Sequence, residues 1–471
     1  MFTIRAMFQH PFKNAATAAA IVVLTLALIM AATVEAQTVP AAGATARTLL
    51  DGYVNEALSA NLAIAQQNAA LRRASQSVRE ANGRFLPSLG VNARYSEFSG
   101  VVNIGEFINP AYAALNQLIG QERFPTNVAA TLPFRQETKL ELSMPLFNDA
   151  LFGARAAARA QRDLVGSGRH AAMRQLAADV QQAWLGYATT VRAVETLEAT
   201  IPVLEENVRV SERLIQNGQA TPDVLLRARA ERSELLQQLE ETRRQREAAR
   251  RGFNLLRNAP DDAPVVLASD STLTDLASVD RESVLARALQ RREELAQTGS
   301  LIEIARAQER VATSAFLPNL SLGASYGVQG DAYRFDRNND VGLASLVLGW
   351  NLFNGTQDAA RREQARASRT EAEFRRREAE RAVRRDVLNA WDAVQAARTN
   401  LVTADDRYAA AQRAFSLVQR RYAEGLATHI EFLSARSAFT GAALNQVITR
   451  FSVATRIVDL ERAAALRTLP N

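Results

Sequence analysis

The chain has 471 residues, no cysteine, three histidines and a formal net charge of +6. The lack of cysteine excludes disulfide scaffolds, thiolate nucleophiles and Fe–S clusters, and three scattered histidines leave little for a metal or acid–base site. Neither a P-loop nor a GxSxG nucleophile motif occurs, so we expect no enzyme activity, cofactor or metal. Only 13 prolines and 22 glycines are present, and abundant Ala, Leu, Glu and Arg predict long helices. The arginines are interleaved with acids, so we expect no nucleic-acid partner.

The first 36 residues predict an export signal. A basic start precedes the apolar segment 15–30, and Val34-Glu35-Ala36 supplies small residues for cleavage before Gln37. The alternative is a membrane anchor, but the apolar segment is shorter than the roughly 20 residues needed to cross a bilayer. Without cysteine, the mature chain cannot be lipidated at an N-terminal Cys. We therefore expect a protein that leaves the cytoplasm.

The rest of the chain is predicted to be a tandem repeat, with a first repeat at 37–257, a linker at 258–280 and a second repeat at 281–471. The segment Phe85-Leu86-Pro87-Ser88-Leu89 recurs 231 residues later as Phe316-Leu317-Pro318-Asn319-Leu320. Downstream, Leu146-Phe147-Asn148 recurs as Leu352-Phe353-Asn354, Trp184 as Trp391, and Gly218-x-Ala220-Thr221 as Gly425-x-Ala427-Thr428. The matches keep their order along the chain, which indicates a duplication.

Each repeat is predicted to contain a helix, two strands, a long helix, a turn and a final helix. Helix 45–85 ends before Pro87, and strands are expected at 88–98, 131–145, 319–329 and 340–352, because apolar and polar residues alternate there, although less regularly in the fourth strand. These strands fit either a small soluble sheet or part of a transmembrane barrel built from several chains. Segment 99–130 is expected to be a surface loop. Phe98 just before it, and Phe107, Tyr112 and Phe124 within it, are expected to line the loop or the aromatic girdle of a barrel.

Two long helices are predicted at 148–217 and 355–424, each roughly 105 Å long at 1.5 Å per residue. Pro202 is expected to kink or break the first of them. Hairpin tips at 217–224 and 424–431 lead into helices 223–257 and 431–467. Trp184 and Trp391 are interpreted as packing between helices, and His429 as a polar residue of the tip.

This order resembles the TolC-like outer membrane factor family. The resemblance rests on the repeated Phe-Leu-Pro segments, on Pro145-Leu146-Phe147 and Asn351-Leu352-Phe353 at the strand ends, and on the two hairpin tips. It implies an α+β membrane protein that forms a homotrimer. A 12-stranded β-barrel in the outer membrane of a Gram-negative bacterium would continue into a periplasmic α-helical barrel.

The implied function is an exit duct of a tripartite efflux or type I secretion system. Substrate would pass through it passively from an inner-membrane pump of RND or ABC type, through a periplasmic adaptor (membrane fusion protein). The alternative is a periplasmic adaptor or a structural coiled-coil protein without channel activity. An adaptor would show one helical hairpin between β-rich halves, whereas two hairpins are predicted here.

The resemblance also assigns the two hairpin tips. It places Thr221, Asp223, Thr428 and Glu431 at the periplasmic entrance. It implies that the adaptor contacts Gly218, Gln219, Ala220, Gly425, Leu426 and Ala427. The two glycines suit positive φ angles, and the threonines suit helix capping. The acids either form a cation-binding ring around the entrance or simply favour the first helical turn; in the first repeat, Val224 replaces the glutamate.

Overall fold

The computed structural model describes residues 46–97, 102–128, 131–132, 135–268, 280–330 and 339–470. The predicted export signal lies outside these residues, as does part of the predicted linker. None of the helices within the described ranges is both long and apolar enough to cross a membrane.

Nine elements of the first repeat lie within the described residues. They are α1 (Ala46–Ala60), α2 (Leu62–Gly83), β1 (Ser88–Tyr95), β2 (Val102–Asn103), α3 (Gly105–Ile119), β3 (Thr131–Leu132), β4 (Gln136–Phe147), α4 (Asp149–Gln216) and α5 (Pro222–Leu256). Asn61 separates α1 from α2, because its side chain accepts a hydrogen bond from the backbone N–H of Ala63 and caps α2. The surface-loop prediction for 99–130 is wrong in part, since α3 and strand β2 lie there, and β2 pairs with β3 just after this segment.

The second repeat has the same order without the insertion. Its elements are α6 (Arg281–Arg291), α7 (Glu293–Thr313), a 3-10 turn (Ser314–Phe316), β5 (Asn319–Gly330), β6 (Asp340–Gly349), α8 (Gln357–Ala423) and α9 (His429–Ala463). Strand β6 ends three residues before the predicted position 352. The predicted fold class is confirmed: both repeats show the helix, strand, strand, long helix, turn and helix.

The four long strands form one antiparallel sheet in the order β1-β4-β5-β6, so β1 and β6 are its edges. One face of the sheet is apolar, with cross-strand rows Leu89–Leu142–Ala324–Ala344 and Val91–Leu140–Tyr326–Gly342. The other face carries charge, because Arg94 contacts Glu137 at 2.8 Å and Lys139 also pairs with Glu137. Val91 is 72% exposed, so the apolar face is uncovered in a single chain.

The two long helices, α4 with 68 residues and α8 with 67, each extend about 100 Å. Near the sheet they pack against α2 and α7, and beyond the middle they pack against α5 and α9. Gly153 lets α4 approach α7 closely, since a Cβ there would lie 2.6 Å from Val311 Cγ2. Helix α4 continues through Pro202, so of the two outcomes expected there, a kink or a break, the break does not occur. Leu197 and Leu204 are buried on either side of the proline and hold both segments against α5.

The hydrophobic core lies at the middle of the long helices. One cluster joins α1, α4, α9 and the described part of the linker, and a second joins α6, α8 and α9. Trp184 is fully buried in the first cluster, and its Nε1–H donates to the Val266 carbonyl at 3.0 Å. Trp391 packs at the edge of the second. The hairpin tips therefore project away from this core.

Candidate functional site at the hairpin tips

The two tips share one backbone geometry. Helix α4 ends in a Schellman motif, in which the Gly218 N–H donates to the Ile215 carbonyl and the Gln219 N–H donates to the Leu214 carbonyl. Helix α8 ends in the same way at Gly425. Gly218 has φ +70° and Gly425 has φ +75°, so both occupy the left-handed region that favours glycine. The predicted turn role of both glycines matches this geometry.

The second tip starts its outgoing helix with a full capping box. The Thr428 hydroxyl accepts from the Glu431 backbone N–H at 3.2 Å, and Glu431 Oε2 accepts from the Thr428 backbone N–H at 2.6 Å. These hydrogen bonds lower the pKa of the exposed Glu431 carboxyl. The side chain is therefore held as a charged cap at the start of α9.

The first tip is built differently. Pro222 occupies the first turn of α5, and the Thr221 hydroxyl bonds to the Asp223 carboxylate instead of capping a backbone N–H. The expectation that the Thr221 side chain caps α5 is therefore wrong, because a neighbouring acceptor takes its hydroxyl. This hydrogen bond lowers the pKa of Asp223, and Arg227 lies 3.6 Å away. Val224, the counterpart of Glu431, is half-buried.

Buried polar contacts tie the second tip together and link it to the first. His429 is only 9% exposed, and its Nδ1 lies 3.1 Å from the Tyr422 hydroxyl, which also hydrogen-bonds Ser211 of α4. Burial lowers the pKa of His429, so the ring is held neutral. Deeper in the bundle, the buried Arg436 of α9 forms an ion pair with the half-buried Glu231 of α5.

Sequence reasoning missed Tyr422, Arg436 and Ser211. The regular seven-residue spacing of Tyr408, Phe415 and Tyr422 was an available signal for a helix seam. These rings do pack against α9, with Tyr422 stacked on Phe432 at 4.8 Å.

The ends of the tips expose apolar side chains. Leu426 is 64% exposed, and Ile430 and Leu226, which sequence reasoning did not single out, are 62% and 65% exposed. Gly218, Gln219 and Gly425 are exposed, whereas Ala220 and Ala427 are half-buried. The residues predicted to contact an adaptor therefore lie together on the chain's two turns, although the two alanines are partly covered.

The comparisons with known proteins agree with this architecture. Residues 284–466 match the family model described as outer membrane efflux protein. No curated protein sequence matches the chain. Among solved structures, the outer membrane protein VceC of Vibrio cholerae superposes with a TM-score of 0.71 at 19% identity, covering 88% of this chain and 96% of VceC.

Two further structures are similar over comparable lengths. CusC superposes with a TM-score of 0.75 at 15% identity, covering 90% of this chain and 94% of CusC. The CmeC outer membrane channel of Campylobacter jejuni has a TM-score of 0.71 at 17% identity, covering 88% of this chain and 85% of CmeC. These likenesses show that the fold extends over both repeats, including the first, which the family model does not reach.

Proposed function

We propose that the chain belongs to the outer membrane efflux protein family, whose model matches residues 284–466, and that three copies form a passive exit duct across the outer membrane and periplasm of a Gram-negative bacterium. An inner-membrane pump of RND or ABC type would deliver substrate through a periplasmic adaptor. The observation that carries the proposal is the four-stranded sheet with one apolar face, two open edges and two helical hairpins of about 100 Å attached.

The open edges argue for several chains. In lipid, an unpaired strand edge leaves backbone N–H and C=O groups without hydrogen bonds, so a spanning sheet has to close on itself. Edge strand β1 of one chain can pair with β6 of the next, and three sheets of four strands then close a 12-stranded barrel. The apolar rows would face lipid, while Arg94, Glu137 and Lys139 would face the lumen.

The helical part fits a water-filled tunnel. Ion pairs with exposed side chains run along the hairpins, such as Arg243–Glu198 between α5 and α4 at 2.7 Å and Arg229–Glu212 at 2.9 Å. Charged residues on both sides of a helical wall are expected where one side meets the periplasm and the other meets the lumen. Apolar contacts are then confined to the seams between helices.

Cysteine cross-linking tests the assembly directly, because the native chain has no cysteine. Asn92→Cys on β1 is combined in turn with Val341→Cys, Leu343→Cys and Ser345→Cys on β6, all on the same face of the sheet. At least one pair should give a covalent trimer in outer-membrane fractions, since disulfides form only when the Cα atoms lie about 4.4–6.8 Å apart. The single-cysteine variants are the controls.

Purified wild-type trimer should also conduct ions in planar bilayers. A soluble periplasmic monomer, or the absence of intermolecular disulfides in all three pairs, would contradict the duct. Pull-down of the native complex, followed by identification of the adaptor and pump, decides between efflux and type I secretion.

The adaptor contact is proposed for Gly218, Gln219, Ala220, Gly425, Leu426 and Ala427. An end-to-end contact with an adaptor hairpin suits small and exposed apolar side chains, and Leu426 supplies the largest of them. Ala220→Asp and Ala427→Asp should abolish export while leaving the trimer level unchanged. Ala230→Asp, at an exposed position within α5, is the matched control. Normal export by both tip variants would refute the assignment.

The entrance is proposed to carry a ring of Glu431 carboxylates, joined by Asp223. Both acids are exposed and have lowered pKa values, so both are charged at neutral pH. The capping role of Glu431 can be separated from its charge, because Gln also completes a capping box. Glu431→Gln and Glu431→Ala should both reduce cation block of single-channel conductance, whereas only Glu431→Ala should loosen α9. If cation block were unchanged in both variants, the ring hypothesis would be refuted and Glu431 would keep only its capping role.

A further inference from the structure

A cavity of about 270 Å³ lies between α4, α8 and α9, away from the tips. It is lined by α9 from Arg436 to Val447, so it lies roughly 10–30 Å from the start of that helix. None of the lining residues is among those proposed above for the adaptor contact or the entrance ring. The cavity is formed within one chain, and its existence does not depend on the proposed duct.

The apolar wall of the cavity is aromatic. Phe439 of α9 stacks on Phe415 of α8, with ring centroids 5.6 Å apart, and lies 5.7 Å from the Tyr408 ring. Ala199 and Val203 of α4 also line the cavity. Such a slot suits a flat aromatic ring, because offset and edge contacts between rings add to the gain from burying them.

The polar corner of the cavity holds two buried groups. Arg436 is 6% exposed and Thr440 is 7% exposed, and both line the cavity. One guanidinium nitrogen of Arg436, Nη2, donates to Glu231, but its Nε and the Thr440 hydroxyl have no hydrogen-bond partner among the described residues. Buried polar atoms are rarely left unpaired, so these two point to an absent acceptor. Arg436 is also the only charged side chain in the described lining.

We propose that this cavity binds a small aromatic carboxylate. Its ring would lie against Tyr408, Phe415 and Phe439, and its carboxylate would accept hydrogen bonds from Arg436 Nε and the Thr440 hydroxyl. An apolar cavity of about 150 Å³ is enough for benzene, so the larger volume here holds one or two fused rings with the acid group. Charge-assisted hydrogen bonds to a guanidinium favour the acid over its neutral amide.

The first repeat offers no second copy of this site. At the offset of 207 residues that relates Gly218 to Gly425, Ile201 replaces Tyr408, Arg232 replaces Phe439 and Ser233 replaces Thr440. The aromatic wall is therefore confined to the second hairpin, and the expected stoichiometry is one ligand per chain.

Isothermal titration of the purified full-length protein in detergent tests the site, with 2-naphthoate and neutral 2-naphthamide as probes. The wild type should bind naphthoate once per chain and at least about tenfold more tightly than the amide. Thr440→Val removes one donor at constant volume and should weaken naphthoate binding by about tenfold, and Ala443→Leu should abolish it by filling the cavity. Thr449→Val, the same substitution in a different groove beside α9, should leave binding unchanged.

Three results would overturn the site: no binding of naphthoate at millimolar concentration, equal binding of acid and amide, or binding that neither cavity variant changes. A neighbouring chain filling the cavity in the trimer would give the first of these. Conductance and cross-linking report the duct separately, so failure of this site leaves the proposed function intact, and the reverse also holds.

Discussion

The buried ion pair between Arg174 of α4 and Glu293 of α7 should be a strong joint between the two repeats. The Arg174 Nε–H contacts both carboxylate oxygens at 2.9 Å, Nη2 lies 2.7 Å from Oε1, and Nη1 donates to the Arg467 carbonyl at 2.9 Å. Their side chains are only 12% and 10% exposed. Glu293→Gln leaves the guanidinium buried without a counter-charge, which costs about 3 kcal/mol or somewhat more.

Native-state hydrogen exchange measures this cost locally. A loss of about 3 kcal/mol should speed exchange in the first turns of α7 by about 150-fold, if the segment opens as a unit. Glu198→Gln is the matched control: its partner Arg243 also bridges two helices, but the side chains are 43% and 41% exposed, so the cost should stay below about 1 kcal/mol.

A double variant separates charge from packing at this joint. Arg174→Met with Glu293→Leu removes both charges and should exchange more slowly than Glu293→Gln alone, because no unpaired charge stays buried. The reasoning would be refuted if Glu293→Gln and Glu198→Gln each speeded exchange around the mutated residue by the same factor. It would also be refuted if the double variant exchanged as fast as Glu293→Gln alone.

Three further predictions concern single side chains. Gly425→Ala should cost about 1 kcal/mol and speed exchange at the second tip, whereas Gly252→Ala, at an open helical position, should stabilise α5 by up to about 1 kcal/mol. Burial lowers the pKa of His429, so its stabilising contribution is complete above its ordinary value of about 6.5 and falls as the pH drops below it. Exchange at the start of α9, corrected for intrinsic rates, should therefore quicken between pH 7 and pH 5 in the wild type but not in His429→Leu. Burial raises the pKa of Glu461, so the buried carboxyl is tolerated when it is protonated at low pH and destabilises the fold when it is charged at neutral pH. Glu461→Gln should therefore raise the thermal midpoint at pH 7 and leave it unchanged at pH 4.

The repeated architecture could be predicted because each of its signals is local. Alternation with period two marks β1, β4 and β5, and the chain's few glycines and prolines mark the ends of the long helices. The end of β6 could not be located in this way. Trp350 and Leu352 continue the apolar pattern after the ladder has ended at Gly349, and the Trp350 indole donates instead to the Phe316 carbonyl at 3.2 Å.

Local rules also failed at two prolines. Pro110 lies inside α3, although the Gly- and Pro-containing segment around it reads as a loop. Pro202 lies inside α4 without ending it, because buried leucines on either side are held by α5. At Pro202 the deciding contacts join residues that are distant in sequence, so the local hydropathy pattern could not predict them.

The tips show most clearly where sequence reasoning ends. Their glycines and the Thr428–Glu431 cap follow short-range rules, and both are visible in the sequence. The pairing of Arg436 with Glu231 joins residues 205 apart, and the burial of His429 depends on Tyr422 at the end of the preceding helix. Such contacts require the packed hairpins before they can be recognised.

The two hairpins have kept the same backbone geometry at their turns, but the side-chain contacts that stabilise the turns differ. The second tip has a capping box, a buried His429–Tyr422 contact and an aromatic seam, whereas the first has an exposed Thr221–Asp223 bond and aliphatic residues at the matching positions. Because opening a segment costs less where fewer buried contacts are lost, the first hairpin is the one whose end should move more readily. In an entrance built from the two hairpins of each of three chains, the second hairpin would then be the more rigid one and the first hairpin beside it the more mobile one. The aromatic wall of the cavity belongs to the second hairpin, so a ligand bound there would meet side chains that are already ordered.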